Sequence, residues 1–240
     1  MISGRSFADI SKWIYDVRYA DKTFSAMKSM NDDVVFINGD MIDSFLEKKT
    51  SSPFSRTKKF IIIVHNSDLP FDSNRLYQVL PHAVHIFAIN TTIRHQQLTT
   101  IPLGFSDRSL PFLKPRNFEK TIEVYLNVTL GSPNEHRHKI RMQCIEAVKN
   151  DPRVVVVSNR SQEDYLDDIS RSKFVLCPQG TGIDTHRIYE ALLYGATPVV
   201  LDSTLNHLYQ TLPICIVRSW TDVYYKPVSS ARFEVRDFLR

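Results

Sequence analysis

A polar loop and helix start between residues 177 and 190 carry the residue types of a ligand site. Within the stretch CPQGTGIDTHRIYE, Gly180 and Gly182 would let the loop bend sharply or approach a ligand closely. Arg187 and Glu190 are three residues apart, so they lie on neighbouring positions near the positive end of the helix. A guanidinium group at a helix N-terminus suits a diphosphate, and a carboxylate one turn later suits the hydroxyl groups of a ribose or sugar.

The spacing alone leaves a second interpretation open. An exposed Arg–Glu pair beside an ordinary capped turn has the same pattern, and the full Gly-x-Gly-x-x-Gly fingerprint is absent. Asp184 or Thr185 is expected to cap the helix, whose apolar positions Ile188, Ala191 and Leu192 can face a sheet. The pattern therefore predicts a strand–loop–helix unit and does not decide whether it binds a ligand.

The rest of the chain alternates short β-rich runs with amphipathic stretches, which predicts βαβ units and parallel sheets. The clearest strand is KKFIIIVHNSD, residues 58–68, because consecutive β-branched residues suit a sheet covered on both faces. The proline-containing segment SLPFLKPRNF breaks the pattern and is the predicted linker. We therefore predict an α/β protein with two Rossmann-like domains, residues 1–112 and 113–240, that face a cleft. Ligands of such sheets bind at the carboxyl ends of the strands.

Further strands are predicted at residues 33–39, 84–90, 98–105, 121–130, 154–158, 174–176 and 198–201. Helices are predicted at residues 41–49, 75–83, 137–149 and 162–171, and after Asp184.

Composition and charge narrow the classes of function. The chain has 240 residues and a formal net charge of +4, so no strong basic field indicates nucleic acid as a partner. No segment approaches the roughly 20 apolar residues that span a bilayer, and the N-terminal residues do not resemble a signal peptide. Three widely spaced cysteines fit a reducing compartment and no zinc-site spacing. We expect a soluble, cytoplasmic protein.

The stretch YLDDISRSKFVLCPQGTGIDTHRIYEALLYGATPVVL, residues 165–201, resembles the donor-binding segment of exostosin-type glycosyltransferases. The shared pattern is an apolar strand, a Pro–Gly loop, Thr-x-Arg, an acidic residue, Ala-Leu and Gly-x-x-Pro-Val. The match covers roughly 40 residues, and the N-terminal half resembles the family only in general layout. The resemblance implies the GT-B fold and a small soluble form, viral or bacterial. It also implies a glycosyltransferase (hexosyl- or pentosyltransferase) that takes a nucleoside-diphosphate sugar, of which UDP-sugars are the commonest in the family.

The resemblance implies donor-binding roles for residues of this segment and of one further turn. Arg187 would contact the diphosphate or nucleotide and Glu190 the ribose hydroxyl groups. A second phosphate contact would come from Arg137, in the turn GSPNEHRHKIR after the predicted strand 121–130. The alternative for these basic residues is that they only solvate the start of a helix. The remaining donor-binding candidates are Gly180, Thr181, Gly182, Thr185 and His186.

The N-terminal half would supply the acceptor side and, in an inverting enzyme, the general base. A base must lie at the cleft because it takes the proton of the attacking acceptor hydroxyl. Asp68 and His65, in HNSD after the clearest strand, are the catalytic candidates, with Asp72 and Asn90 on the acceptor side. An Asx-type turn is the alternative, since Asn-Ser-Asp is common turn chemistry.

The expected mechanism needs no metal and no tightly bound cofactor, because no two aspartates have the Asp-x-Asp spacing. Two other functions stay open. A non-catalytic nucleotide or sugar binder could have the same fold. A metallophosphatase could use Asp40 and Asp43 of NGDMID, although no Asp-x-His precedes them. The sugar acceptor is expected to be a carbohydrate or glycan hydroxyl.

Overall fold

A computed structural model describes residues 1–22, 34–51, 57–130 and 135–222 of the chain. It shows a mixed α/β protein that divides into two compact units, one from Ile2 to Leu103 and the other from Gly104 onward together with Met1. We call these the first and the second unit. The segment 109–118, predicted as a linker, lies within the second unit. Among the described residues, no helix has the length and apolar character needed to cross a membrane.

The first unit contains a sheet of five parallel strands whose spatial order follows the chain. The strands are β1 (Trp13–Tyr15), β2 (Val34–Asn38), β3 (Phe60–His65), β4 (Ala83–Ala88) and β5 (Leu98–Thr100). The α-helices are α1 (Gly4–Asp9), α2 (Ile42–Ser51) and α3 (Ser73–Val79).

Both faces of the first sheet are covered, as the sequence of β3 predicts. Ile62 and Val64 belong to one apolar cluster, which includes Phe45 of α2. Ile63 points to a second cluster, which includes Ala8 of α1. Successive side chains of a strand point to opposite faces, so a run of apolar residues buries both.

The second unit contains another sheet of five parallel strands, in a different order. The strands are β6 (Ile122–Asn127), β7 (Val154–Val157), β8 (Ser172–Leu176), β9 (Thr197–Leu201) and β10 (Cys215–Val217). The helices are α4 (Glu135–Val148), α5 (Gln162–Arg171), α6 (His186–Leu193) and α7 (Asn206–Tyr209).

The order of this sheet is β7, β6, β8, β9, β10. The chain therefore moves from β6 outward to β7, and then passes back to continue on the other side with β8. The winding reverses between β6 and β8, which is the position where open parallel sheets bind ligands. After α6, Gly195 adopts a left-handed conformation (φ 66°) that turns the chain into β9.

Arg116 anchors the segment before β6 to the helices of the second unit. Its Nε atom donates to Asp167 of α5 at 2.6 Å, and its Nη1 atom donates to the hydroxyl of Tyr194 at 2.7 Å. Its side chain is almost fully buried and also pairs with Glu163. Because a buried guanidinium group needs several partners, these bonds fix the segment against α5 and the end of α6.

Most of the predicted elements are present, and their bounds are shorter than predicted in some cases and longer in others. Helix α5 has the predicted bounds, whereas β6 ends at Asn127 and not at residue 130. The sequence interpretation missed β1, β10, α1 and α7, which are all short. Part of the predicted turn before α4, residues 131–134, lies outside the described residues.

Candidate functional site

A cavity of about 570 Å³ opens at the carboxyl ends of the second sheet. Asn127 ends β6, Arg160 follows β7 and Pro178 follows β8, and all three line the cavity. These positions flank the point between β6 and β8 where the winding reverses. The fold of the second unit therefore places the cavity where an α/β sheet binds its ligands.

The start of α6 is held against this cavity by a buried carboxylate. Asp184 is only 3% exposed and accepts hydrogen bonds from the hydroxyl groups of Tyr189, at 2.6 Å, and Tyr209, at 3.1 Å. It also accepts from the backbone N–H of Thr185 at 2.9 Å. These bonds fix the first turn of α6, so that Thr185 and the two residues after it line the cavity.

The hydroxyl group of Thr185 is available for a ligand. Thr185 occupies the N-cap position of α6, but its side chain makes no capping hydrogen bond. Its Oγ1 atom is buried and has no hydrogen-bond partner within the described part of the chain. An unsatisfied buried hydroxyl is costly, and one that lines a cavity indicates a polar ligand.

Arg141 and Arg187 bring two positive charges to the same cavity. Arg141 is buried, and its Nη1 atom donates to the carbonyl oxygen of Thr129 at 2.7 Å. The Nε atoms of both arginines are buried and have no hydrogen-bond partner in the residues that the structure describes. Burial, together with the charges of Arg137 and Arg187, lowers the pKa of Arg141 to about 10. Two guanidinium groups that line one cavity and have unsatisfied buried Nε atoms are typical of a site that binds an anion.

The carboxylates near the cavity do not cancel these two charges. Asp168 forms a two-pronged ion pair with Arg160, whose Nε and Nη2 atoms lie 2.8 and 3.2 Å from its oxygens. Asp168 also accepts a hydrogen bond from Tyr125. Over the described ranges, neither Arg141 nor Arg187 forms an ion pair with a carboxylate. The cavity therefore retains a net positive charge.

Glu190 lies at the other side of the first turns of α6 and is 4% exposed. The hydroxyl group of Tyr165 donates to its Oε2 atom at 2.7 Å. Burial and the neighbouring carboxylate raise the pKa of Tyr165 well above its usual value, so the phenol stays protonated and remains a donor. The guanidinium carbon of Arg187 lies 6.0 Å from the centre of the Tyr165 ring. Burial acts to lower the pKa of Arg187, but Tyr165, Cys177 and Glu190 raise it overall.

The structure brings four of the predicted donor-binding residues together. They line the cavity, and they are Thr185, His186, Arg187 and Glu190. Arg137 lies on the first turns of α4 and acts on Arg141 through its charge, but it is not among the lining residues.

Three other donor-binding candidates, Gly180, Thr181 and Gly182, lie in the loop before α6 and do not line the cavity. Neither glycine has a left-handed backbone. A Cβ atom on Gly180 would meet no atom within 4 Å, so the fold does not require glycine there. The part of these residues in ligand binding stays a prediction.

The predicted catalytic and acceptor-side residues all lie in the first unit. His65 is 1% exposed, and its ring packs 5.2 Å from that of Phe7. Asp68 is exposed, after the end of β3. Asp72 caps α3 by accepting from the backbone N–H of Arg75, and Asn90 is buried with a left-handed backbone. Their roles in catalysis stay predictions.

Asp40 and Asp43 take part in local hydrogen bonds. Asp40 accepts from the hydroxyl group of Ser67, and Asp43 accepts from Gln78. In the described ranges, no group of three or more His, Cys, Asp or Glu side chains is placed to hold a metal ion. A two-metal phosphatase centre needs several such ligands, so these aspartates do not form one with described residues.

The sequence interpretation missed several lining residues. The rule that ligands bind at strand ends points to Asn127 and Arg160, which line the cavity. The predicted end of β6, residue 130, lies three residues beyond its observed end at Asn127. Tyr165 falls within the family-like stretch and was not given a role. The segment Ser106–Phe112 has no strand or regular helix to reveal it, although Arg108 within it lines the cavity.

A family model and two known proteins match parts of the chain. The family model of the RXYLT1 C-terminal domain matches residues 131–221. Ribitol-5-phosphate xylosyltransferase 1 from Homo sapiens is 44% identical over 45 residues, which are 19% of this chain and 10% of that protein. The protein of the same name from Mus musculus is 40% identical over 55 residues, 22% and 12% of the two chains. These comparisons support a glycosyltransferase family. The match spans only about a tenth of the length of these relatives.

Arg141→Met tests whether the positive charge of the cavity is there for an anion. We expect the midpoint of thermal unfolding of the free protein to be unchanged or higher, because a repelled buried charge is removed and Thr129 is exposed to water. Inorganic pyrophosphate should raise the midpoint of the variant by only about half as much as that of the wild type, or less, because one of the guanidinium groups that line the cavity is lost. Differential scanning fluorimetry measures both effects.

The matched control for this variant is Arg153→Met, whose guanidinium group pairs with Asp151 in a turn outside the cavity. It should keep the full response to pyrophosphate. A full response in Arg141→Met as well would contradict the assignment of the cavity as an anion site.

Proposed function

We propose that this chain is a glycosyltransferase that moves a sugar from a nucleoside diphosphate to a carbohydrate hydroxyl group. The observation that carries the proposal is the cavity at the switch point of the second sheet, which is lined by two guanidinium groups that form no ion pair with a described carboxylate. Nine of the residues that line this cavity fall within residues 131–221, the stretch that matches the family model of the RXYLT1 C-terminal domain. Position, charge and similarity therefore support the same conclusion.

The proposed chemistry uses the cavity to stabilise the leaving group. The acceptor oxygen forms a bond to the anomeric carbon, the bond from that carbon to the phosphate oxygen breaks, and the nucleoside diphosphate departs with the electron pair. Arg141, Arg187 and the hydroxyl group of Thr185 would hold the charge that develops on the diphosphate. Their positions are fixed before the ligand arrives, so little reorganisation is needed during the reaction.

Glu190 would recognise the nucleoside through its ribose hydroxyl groups. Tyr165 already donates to its Oε2 atom, which orients the carboxylate and leaves its other oxygen for the ligand. A carboxylate that accepts from two adjacent hydroxyl groups selects a ribose over an apolar group of similar size. The same position was expected from the exostosin-like pattern.

The finer features of the proposal come from that resemblance and from the names of the relatives. The enzyme would have a GT-B architecture, invert the anomeric centre, need no metal ion and take a UDP-sugar. The matched relatives are named as xylosyltransferases that act on ribitol 5-phosphate. A pentose donor and a phosphorylated polyol acceptor are therefore the first substrates to test.

Arg187→Ala should weaken the binding of the nucleotide sugar by at least ~2 kcal/mol, which is about 30-fold, because the phosphate charge is left uncompensated. Isothermal titration with a panel of UDP- and GDP-sugars measures the loss, and a transfer assay with the best donor measures the rate. Arg153→Ala is the control, since this residue lies outside the cavity. Wild-type affinity and rate in Arg187→Ala would remove that residue from the site.

Asp68→Asn tests the proposed general base in the first unit. We expect transfer to fall by about 10²-fold or more, because the amide cannot take the proton of the acceptor hydroxyl. Donor affinity should stay at the wild-type value, since Asp68 belongs to the other unit and not to the donor cavity. Initial rates at saturating donor, with Asp43→Asn as the control, make the comparison. Undiminished transfer would assign the base elsewhere.

A further inference from the structure

His186 is the first residue of α6 and lines the cavity beside Arg187. Its Nδ1 atom lies 2.7 Å from the carbonyl oxygen of Gly104. A carbonyl oxygen can only accept a hydrogen bond, so Nδ1 must carry the hydrogen. In the neutral ring, Nε2 then holds a lone pair and acts as an acceptor. No residue that the structure describes donates a hydrogen bond to Nε2.

Four other polar groups of the cavity differ from His186 in what they bind best. The guanidinium groups of Arg108, Arg141 and Arg187 are donors only, and the hydroxyl of Thr185 can donate as well. All four suit the oxygens of a phosphate group. The lone pair on Nε2 repels such an oxygen and attracts a hydroxyl group instead. We therefore expect Nε2 of His186 to contact a part of the ligand that carries hydroxyl groups and is adjacent to the phosphates.

Glu190 is the carboxylate among the lining residues, and Tyr165 already donates to one of its two oxygens. It lies one turn further along α6, whereas His186 lies at the helix start between Thr185 and Arg187. His186 and Glu190 are four residues apart, so the two acceptors lie on the same face of α6, one turn from each other. A nucleotide sugar has two parts with hydroxyl groups, the ribose and the sugar, and the proposed function already assigns Glu190 to the ribose.

We propose that Nε2 of His186 accepts a hydrogen bond from a hydroxyl group of the transferred sugar and helps to select that sugar. This inference rests on the proposed function, because it needs a nucleotide sugar in the cavity. The hydrogen bond from Nδ1 to Gly104 keeps the ring in the tautomer that discriminates between a hydroxyl group and a phosphate oxygen. His186 is then a specificity residue of the donor site.

The variant His186→Asn tests the role of Nε2 apart from that of Nδ1. The asparagine amide can keep the donor to Gly104, since its nitrogen takes the place of Nδ1, but it has nothing at the position of Nε2. Both proteins are titrated calorimetrically with the UDP- or GDP-sugar that binds the wild type most tightly and with the matching UDP or GDP. We expect about a five- to tenfold loss of affinity for the nucleotide sugar and less than about a twofold change for the bare diphosphate.

Two results of this titration would overturn the inference. Equal affinity of both proteins for the nucleotide sugar would show that Nε2 makes no contact with it. An equal loss for the nucleotide sugar and the bare diphosphate would place His186 on the nucleotide part. If the wild type binds no nucleotide sugar of the panel, the proposed function itself fails, and that result is distinct from the other two.

Donor analogues that each lack one sugar hydroxyl give a second test that needs only the wild type. One analogue should bind about five- to tenfold more weakly than the parent nucleotide sugar, because it leaves Nε2 without its donor. On His186→Asn, that same analogue and the parent should bind equally. Wild-type affinity for every analogue would contradict the inference even if the variant does not fold.

Discussion

The guanidinium groups of Arg141 and Arg187 line one cavity and form no ion pair with a described carboxylate. The packing of the second unit keeps both groups at this cavity. Burial, and after it the charges of Arg137 and Arg187, lowers the pKa of Arg141 to about 10. Keeping the guanidinium group charged in this place opposes folding. Such a cost persists at functional sites because the rest of the structure offsets it.

The groups that offset it lie directly behind the cavity. Asp184 joins Tyr189, Tyr209 and the backbone of Thr185, and so ties the start of α6 to α7. Asp168 neutralises Arg160 and also holds Tyr125 of β6. These two carboxylates hold neighbouring elements of the fold in place. The second unit thus uses its buried acids to fix the elements, and leaves the two basic groups that face the cavity for a ligand.

The sequence predicted the parts of this arrangement that depend on local pattern. The apolar run in β3 and the helix α5 follow from side-chain periodicity. Arg187 and Glu190 were assigned from the exostosin-like pattern, since their spacing alone left the site undecided, and both line the cavity. The two-unit cleft expected of a GT-B protein stays a prediction.

The features that the sequence did not reveal depend on contacts between distant residues. The pairing of β6 with both β7 and β8 creates the switch point, and no local pattern encodes that order. Arg160 lines the cavity, but its charge is paired with Asp168, and no local pattern reveals that ion pair. Tyr165 orients Glu190 across 25 positions of sequence, and His186 is fixed by Gly104, 82 positions away. Three-residue strands such as β1 and β10 carry too little periodicity to be recognised.

A crystal structure with a bound nucleoside diphosphate is the decisive test of whether this cavity holds the diphosphate of a nucleotide sugar. We expect phosphate oxygens within hydrogen-bonding distance of Arg141, Arg187 and the hydroxyl group of Thr185, with the ribose on the side of Glu190. A nucleotide bound at another position, with the two guanidinium groups still facing solvent, would contradict it.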